Sequence, residues 1–205
     1  MLKSSLTKKQ YSDLIDCCLD YFEKLSSYTH LDWMLDVLEE FSGNAKPENN
    51  SFQKIFNFVQ GEVLRFINRL SLQQGEVFNE LCLENSRDKI KINLDQGDQN
   101  QDSMNKLAHL EGKKIGIYTL EENAGNRAKR IIQNLIPTSK VKVNSDKGGT
   151  TLLKDLAKNA DIFICATKAS THAATNFIEM FRSTEDIIKP TGKGSSSIIN
   201  SLVAY

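Results

Sequence analysis

The stretch KIGIYTLEENAGNRAKRIIQNLIPTSKVKVNS, residues 114–145, decides the fold class. It opens with a β-rich run, KIGIYTL, continues with a helical pattern over Asn126–Leu135 and closes with a second β-rich run, KVKVNS. Two strand patterns separated by a helical pattern are typical of a parallel βαβ unit with a right-handed crossover.

The same alternation continues to the end of the chain. Two further β-rich runs follow, DIFICAT (Asp161–Thr167) and DIIKPT (Asp186–Thr191). The remaining helical patterns cover Thr150–Asn159, Ser170–Phe181 and Ser195–Val203. The sequence therefore predicts an α/β domain over residues 113–205, with a four-stranded parallel Rossmann-like sheet and helices on both faces.

Residues 1–85 have a different pattern and predict an all-α domain. Apolar residues recur there at spacings of three and four, which places them on one face of successive helices. The predicted helices are Thr7–Ser26, Leu31–Phe41, one that begins after an N-cap at Ser51, and Gln73–Leu83. Residues 86–112, which include DQGDQNQDS, are predicted to be a polar linker.

Composition places the chain among ordinary globular proteins and excludes a chain dominated by disorder, with 40% hydrophobic and 25% charged residues. The net charge is zero, yet residues 1–112 carry 12 Lys and Arg against 18 Asp and Glu, and residues 113–205 carry 14 against 8. The two halves could attract each other, or the basic half could meet an anion.

The four cysteines form no C-x-x-C pair and are expected to be buried reduced thiols. No apolar run resembles a membrane span or a signal core, so we expect a cytoplasmic protein.

Ligands of such sheets bind beyond the carboxyl ends of the strands, at the point where strand order reverses. Four loops lie there: the first loop is Thr119–Asn126, the second Asn144–Thr151, the third Thr167–His172 and the fourth Thr191–Ser197. The candidate ligand-binding residues are the small, hydroxyl-bearing or cationic members of these loops. They are Thr119, Gly148, Gly149, Lys168, Ser170, His172, Gly192, Lys193, Ser195 and Ser196.

The fourth loop is the most suggestive, because two glycines let backbone amides approach a ligand and three serines open a helix whose N-terminus favours anions. Lys193 adds a positive charge, although the spacing is not that of a P-loop. A plain helix start that needs no ligand explains the same residues.

His172 in the third loop could donate to a phosphate or act as an acid or base, or it could form hydrogen bonds with neighbouring hydroxyls. Asp146 with Gly148 and Gly149 reads most simply as a turn before a helix capped by Thr150.

The order of these motifs resembles a bacterial family, the domain of unknown function numbered 2325. The motifs are KIGIYTL, DKGGTTLL, NADIFICAT, STHAATNFI and GKGSSSIINSL, and they span Lys114–Leu202. The resemblance implies a Rossmann-like fold and a regulatory or accessory role, and copies with added helices look similar to components of bacterial defence clusters. The matching positions are Gly148, Gly149, His172, Ser195, Ser196 and Ser197, whereas the first loop lacks the expected glycines.

The leading hypothesis is a non-catalytic accessory or sensor subunit of a multiprotein bacterial complex, with a role in antiphage defence. Its α/β domain would bind a nucleotide or a nucleic-acid phosphate, and its helical domain would bind a protein partner. No resident cofactor is expected. A purely structural assembly module without a ligand is the alternative. A nucleotide hydrolase or transferase ranks lower, because the sequence has no metal cluster, nucleophile elbow or carboxylate placed to orient His172.

Overall fold

The computed structural model describes residues 6–44, 46–91 and 106–205. The chain divides into two compact units, Met1–Gln96 and Gly97–Tyr205. Residues 92–105 of the predicted linker lie outside the described residues.

The first unit is helical, as the sequence predicts. Its helices are α1 (Lys8–Lys24), α2 (Leu31–Gly43), α3 (Asn49–Arg65) and α4 (Leu72–Glu84). Capping boxes begin two of them: Thr7 and Gln10 start α1, and Ser71 and Gln74 start α4. Each box satisfies backbone N–H groups that have no partner inside the helix, which fixes where the helix begins.

The start of α3 differs from the prediction. Ser51 is not the N-cap; Glu48 is, and its carboxylate accepts from the backbone N–H of Asn50 at 3.1 Å and of Ser51 at 2.5 Å. Ser51 is buried inside the first turn, where its hydroxyl donates to Ser12 Oγ at 3.0 Å. Glutamate is a less common cap than serine, so propensity selected the wrong residue.

Aromatic side chains form much of the core of this unit. Tyr11 of α1 and Phe41 of α2 meet edge to face with ring centroids 5.6 Å apart, and Phe56 of α3 lies 5.8 Å from Phe78 of α4. The chain after α4 still packs on these helices, since the backbone N–H of Ile90 donates to Asn79 Oδ1 at 2.9 Å. The helical unit therefore extends into the first residues of the predicted linker.

The second unit is the predicted α/β domain. Its elements are β1 (Lys114–Tyr118), α5 (Glu122–Leu135), β2 (Lys140–Asn144), α6 (Thr151–Asn159), β3 (Ile162–Cys165), α7 (His172–Glu179), β4 (Ile187–Ile188) and α8 (Ser195–Val203). The four strands are all parallel, in the order β2-β1-β3-β4. The first residues before β1 also pack, because Leu107 and Leu110 are buried.

Helices cover both faces of the sheet, as predicted. Helices α5 and α8 contact each other on one face, and α6 and α7 contact each other on the opposite face. Gly116 explains the close approach of α6: a Cβ there would lie 2.9 Å from Phe163 Cδ2 and 3.1 Å from Leu156 Cγ. The glycine in the first strand is thus required by packing.

Some element ends differ from the sequence-based ranges. Helix α5 begins at Glu122 and not at Asn126, so most of the predicted first loop belongs to the helix. An acidic residue in the first turn favours this earlier start through the helix dipole. Strand β4 contains only Ile187 and Ile188, and α7 ends at Glu179. Within the described ranges, no helix is both long and apolar enough to span a lipid bilayer.

Candidate functional site at the strand-end loops

The first and third loops meet at the point where strand order reverses. Strand β1 lies between β2 and β3, so the loops that follow β1 and β3 are neighbours at the carboxyl edge of the sheet. The backbone N–H of Leu120 donates to the carbonyl of Ala169 at 2.7 Å, and that of Ala166 donates to the carbonyl of Tyr118 at 2.9 Å. The first bond joins the two loops, and the second continues the pairing of β1 with the residue after β3, at the edge where such folds commonly hold a ligand.

The second and third loops are also joined. The Thr171 hydroxyl donates to the carbonyl of Lys147 at 2.8 Å, and the Tyr118 hydroxyl donates to the carbonyl of Asp146 at 2.8 Å. Burial raises the pKa of Tyr118. The phenol is therefore kept as a neutral donor that holds the second loop against the sheet.

The second loop is a turn that ends in a helix cap, as its simplest interpretation predicts. Asp146 accepts from the Thr150 hydroxyl and from Asn144 Nδ2, the latter at 2.7 Å, and these bonds hold the pKa of Asp146 below its usual value. Thr150 caps α6 by accepting from the backbone N–H of Leu153 at 3.2 Å. Gly148 has open space around the position of a Cβ, whereas Gly149 lies against the ring of Phe177.

The third loop exposes its two ionisable candidates. Lys168 and His172 are exposed, and neither side chain has a hydrogen bond or ion pair within the part of the chain that the structure describes. Ser170 donates to the carbonyl of Thr167 at 2.9 Å and accepts from Thr175 Oγ1 at 3.2 Å. The cap of α7 is Thr171, which accepts from the backbone N–H of Ala174 at 3.1 Å.

The fourth loop approaches the first on the other face of the sheet. Lys193 Nζ lies 3.9 Å from Glu121 Oε1, so an ion pair connects the residue before Gly194 with the N-cap of α5. Gly194 is the N-cap of α8 and supplies no side-chain hydrogen bond to the helix. Ser195 and Ser196 are buried in the first turn of α8. Thr119 is fully buried and its hydroxyl accepts from the backbone N–H of Glu121 at 3.2 Å.

The predicted residues therefore fall into two groups. Those of the second and third loops lie at the starts of α6 and α7, and those of the fourth loop lie at the start of α8, on the opposite face. Two of the candidate residues, His172 and Ser195, begin helices on different faces of the sheet. The first loop lies between the two groups, since Glu121 pairs with Lys193 and the Leu120 N–H donates to the carbonyl of Ala169.

Comparison with known families adds one match. A family model described as DpdD-like matches residues 1–201, nearly the whole chain. The chain belongs to the DpdD-like family. DpdD is associated with a bacterial DNA-modification and defence system. Comparisons with curated proteins and with solved structures gave no match.

The family match covers both units of the DpdD-like chain, whereas the resemblance to domain 2325 covers Lys114–Leu202. The match does not show that second relationship, which stays an expectation. The family match does agree with the more general expectation from the sequence, that the chain is linked to bacterial defence gene clusters.

Within the described residues, the DpdD-like chain has no group of three or more His, Cys, Asp or Glu side chains placed to hold a metal ion. Cys165 ends β3 beneath the third loop, and burial raises the pKa of its thiol to about 11. The loops also present hydroxyl and backbone hydrogen-bonding groups, the lysines Lys168 and Lys193, the imidazole of His172 and the carboxylates of Glu121 and Asp146.

Sequence reasoning did not predict several contacts that shape the site of the DpdD-like chain. Tyr118 and Thr171 hold the second loop, and Glu121 pairs with Lys193. The threonine followed by His-Ala-Ala was a signal for an N-cap, since threonine three residues before a helical N–H commonly accepts from it. Nothing in the sequence marks the pairing of Glu121 with Lys193, because it depends on the packing of α5 beside α8.

Proposed function

We propose that this member of the DpdD-like family is a non-catalytic accessory or sensor subunit of a bacterial DNA-modification and defence complex. Its α/β unit binds a phosphate group of a nucleotide or nucleic acid at the start of α8, and its helical unit binds a protein partner. The family's association with DNA modification supports a phosphate-bearing ligand.

The start of α8 is the observation that carries the proposal. Helix N-termini attract anions through the helix dipole. Thr150 and Thr171 cap α6 and α7 with their own hydroxyls, and Glu122 puts a negative charge in the first turn of α5. Helix α8 has a glycine at its N-cap, no acidic residue in its first turn and Lys193 directly before it, so the charge at its start favours an anion.

The ion pair of Lys193 with Glu121 fits this proposal as a competing contact. A bound phosphate would take the place of the carboxylate beside the ammonium group. Both side chains are about one third exposed, 34% and 29%, so solvent screens the pair and displacing Glu121 costs about 1 kcal/mol or less. The ion pair is thus a weak competitor for a phosphate at Lys193.

The position of His172 supports a non-catalytic role. General base catalysis needs a histidine within hydrogen-bond reach of the group it deprotonates, and usually a carboxylate that orients it. His172 begins a helix on the opposite face from Ser195, and no carboxylate contacts it within the residues that the structure describes.

The assembly module without a ligand is the second candidate. It is favoured by the hydrogen bonds that join the loops to one another, Leu120 to Ala169 and Thr171 to Lys147. In that case the loops only make turns and caps, and the chain acts through protein contacts.

Exposed aromatic side chains on the first unit support partner binding there. Tyr21 is 57% exposed and Trp33 is 41% exposed. Trp33 also meets the buried Phe22 edge to face at 5.0 Å. Native mass spectrometry of the chain purified from its own host tests this role. A copurifying chain should be lost in Trp33→Ala and kept in Tyr205→Ala, which removes an exposed aromatic ring from the other unit.

Titration of the full chain with ATP and with a short single-stranded DNA tests phosphate binding. Lys193→Ala should weaken binding about tenfold, and Glu121→Gln should strengthen it severalfold by removing the competing carboxylate. Lys189→Ala is the matched control, since Lys189 also forms a surface ion pair, with Glu179 at 3.8 Å. Binding that responds equally to Lys193→Ala and Lys189→Ala, or no binding of either probe, would support the assembly module and reject the phosphate site.

A further inference from the structure

Strand β2 is an edge of the sheet and leaves backbone groups open on its outer side. It pairs with β1 alone among the described strands. The backbone N–H of Lys140 donates to the carbonyl of Lys113 at 2.8 Å, and the N–H of Thr119 donates to the carbonyl of Asn144 at 3.1 Å. In a parallel strand, alternate residues bond to alternate neighbours. Lys140, Lys142 and Asn144 therefore face β1, and the N–H and C=O groups of Val141 and Val143 point outward.

A groove runs along this edge. It has a volume of about 370 Å³ and lies between β2 and α6. Two leucines of α6 line it, Leu156 and Leu152, and Leu152 has 73% of its surface exposed.

The charge of the groove is positive. Lys114, Lys140 and Lys142 line it, against one carboxylate, that of Asp155. None of the ion pairs found in the described part of the chain involves Lys140 or Lys142. Both lysines are exposed and lie on the face of β2 toward α6, and the side chains of Val141 and Val143 lie on the face toward α5.

We infer that the edge of β2 is a docking site for an extended segment of a partner protein in which acidic and apolar residues alternate. The segment would add a strand to the sheet through the backbone groups of Val141 and Val143. Its carboxylates would lie beside Lys140 and Lys142, and the alternate side chains would lie beside the two valines on the α5 face.

The lysines select this occupant over a second copy of the chain. Pairing two β2 edges around a twofold axis would place Lys140 and Lys142 close to the same residues of the other copy. Like charges directly opposite each other destabilise a strand pair. Lysine on an edge strand is a common means of preventing such self-association, and an acidic segment is the partner for which the same lysines are favourable.

A synthetic peptide of alternating glutamate and valine, titrated into the full chain, tests the docking site. Binding should slow hydrogen exchange at the amides of Val141 and Val143. Lys142→Glu should weaken the peptide about tenfold or more, since it replaces an attraction by a repulsion. Lys158→Glu is the matched control, because it makes the same charge change on α6 at a residue that lies 5.1 Å from the Phe181 ring and outside the groove.

Two further peptides separate strand addition from charge attraction. A peptide of alternating lysine and valine should not bind, and a glutamate–valine peptide with N-methylated backbone amides on its inward side should lose binding. These changes leave the protein unaltered, so folding defects cannot explain their effects. No binding up to about 1 mM peptide, unchanged binding after N-methylation, or self-association of the chain through β2 would each overturn the inference. Lys193→Ala should leave this binding intact, which keeps the docking site distinguishable from the phosphate site.

Discussion

Gly149 in the second loop lies against the ring of Phe177 in α7. A Cβ built on Gly149 would lie 2.4 Å from Cδ2 and 2.8 Å from Cγ of that ring, closer than real Cβ contacts allow. Phe177 in turn packs on the core under α6 and α7 and meets Phe181 at 5.1 Å. The glycine pair that the sequence offers as a ligand loop is thus explained at Gly149 by packing.

Gly149→Ala should lower the free energy of unfolding by about 1–3 kcal/mol, because the ring of Phe177 has to shift to admit the methyl group. Gly148→Ala is the matched control, since nothing lies within 4 Å of a Cβ at Gly148. Urea denaturation followed by circular dichroism measures both. Equal stability of the two variants would contradict the packing explanation and return Gly149 to the ligand hypothesis.

Sequence patterns predicted the architecture well because each helix and strand carries its own periodicity. The range Ser195–Val203 agrees with α8 at both ends, and Thr150 is the cap of α6 as expected. Patterns failed where the deciding contact comes from elsewhere in the fold. The cap of α3 is Glu48, and the carboxylate beside Lys193 belongs to Glu121, 72 positions earlier in the sequence. The local sequence cannot predict a contact between two loops when the packing of helices brings those loops together.

Arg182 is a structural residue that no motif revealed. Its guanidinium donates to the carbonyl of Ala160 at 2.7 Å, of Asp161 at 3.1 Å and of Ala157 at 3.2 Å, and its Nε donates to the carbonyl of Asp186 at 3.1 Å. The planar fork thereby joins the end of α6 to the residues before β3 and β4. Lysine cannot supply donors in this arrangement.

Arg182→Lys should therefore lower the free energy of unfolding by about 1–2 kcal/mol, since the carbonyls of the buried residues Ala157 and Ala160 lose a hydrogen-bond partner. The control is Arg65→Lys, at an exposed arginine of α3, which should change stability by about 0.5 kcal/mol or less. Urea denaturation measures the free energy of unfolding of both variants. A loss no larger for Arg182→Lys than for Arg65→Lys would show that the four carbonyl contacts contribute little.

The cysteines should react in an order set by exposure and thiolate formation. The expectation that all four are buried is wrong for Cys17, which is exposed, and Cys18 is half-buried. Burial raises the pKa of Cys82 and of Cys165 to about 11 and also raises that of Cys18. Because the thiolate is the reactive form, iodoacetamide at pH 8 should label Cys17 first and leave Cys82 and Cys165 unlabelled until the chain unfolds. Peptide mass spectrometry over time measures the order, and early labelling of Cys165 would contradict the buried position of β3.

The cap of α3 should make stability depend on pH. Hydrogen bonds from Ser51 hold the pKa of Glu48 below the ordinary value of 4.5, and the backbone N–H of Asn50 adds to them. A carboxyl group whose pKa is lower in the folded chain stabilises the fold at pH values above the unfolded value. That stabilisation is lost as the pH falls through the folded value.

Glu48→Gln should accordingly lower the Tm at pH 7, and the difference from the unaltered chain should shrink as the pH falls below 4.5. Glu23→Gln is the control, because it removes an exposed carboxylate of α1 that caps no helix. Thermal unfolding between pH 7 and acidic pH, followed by the fluorescence of Trp33, the single tryptophan and a residue of the same helical unit, measures the effect. A Tm difference for Glu48→Gln that stays constant through the acidic range would show that the charge of Glu48 does not contribute, and that its capping depends on hydrogen-bond geometry alone.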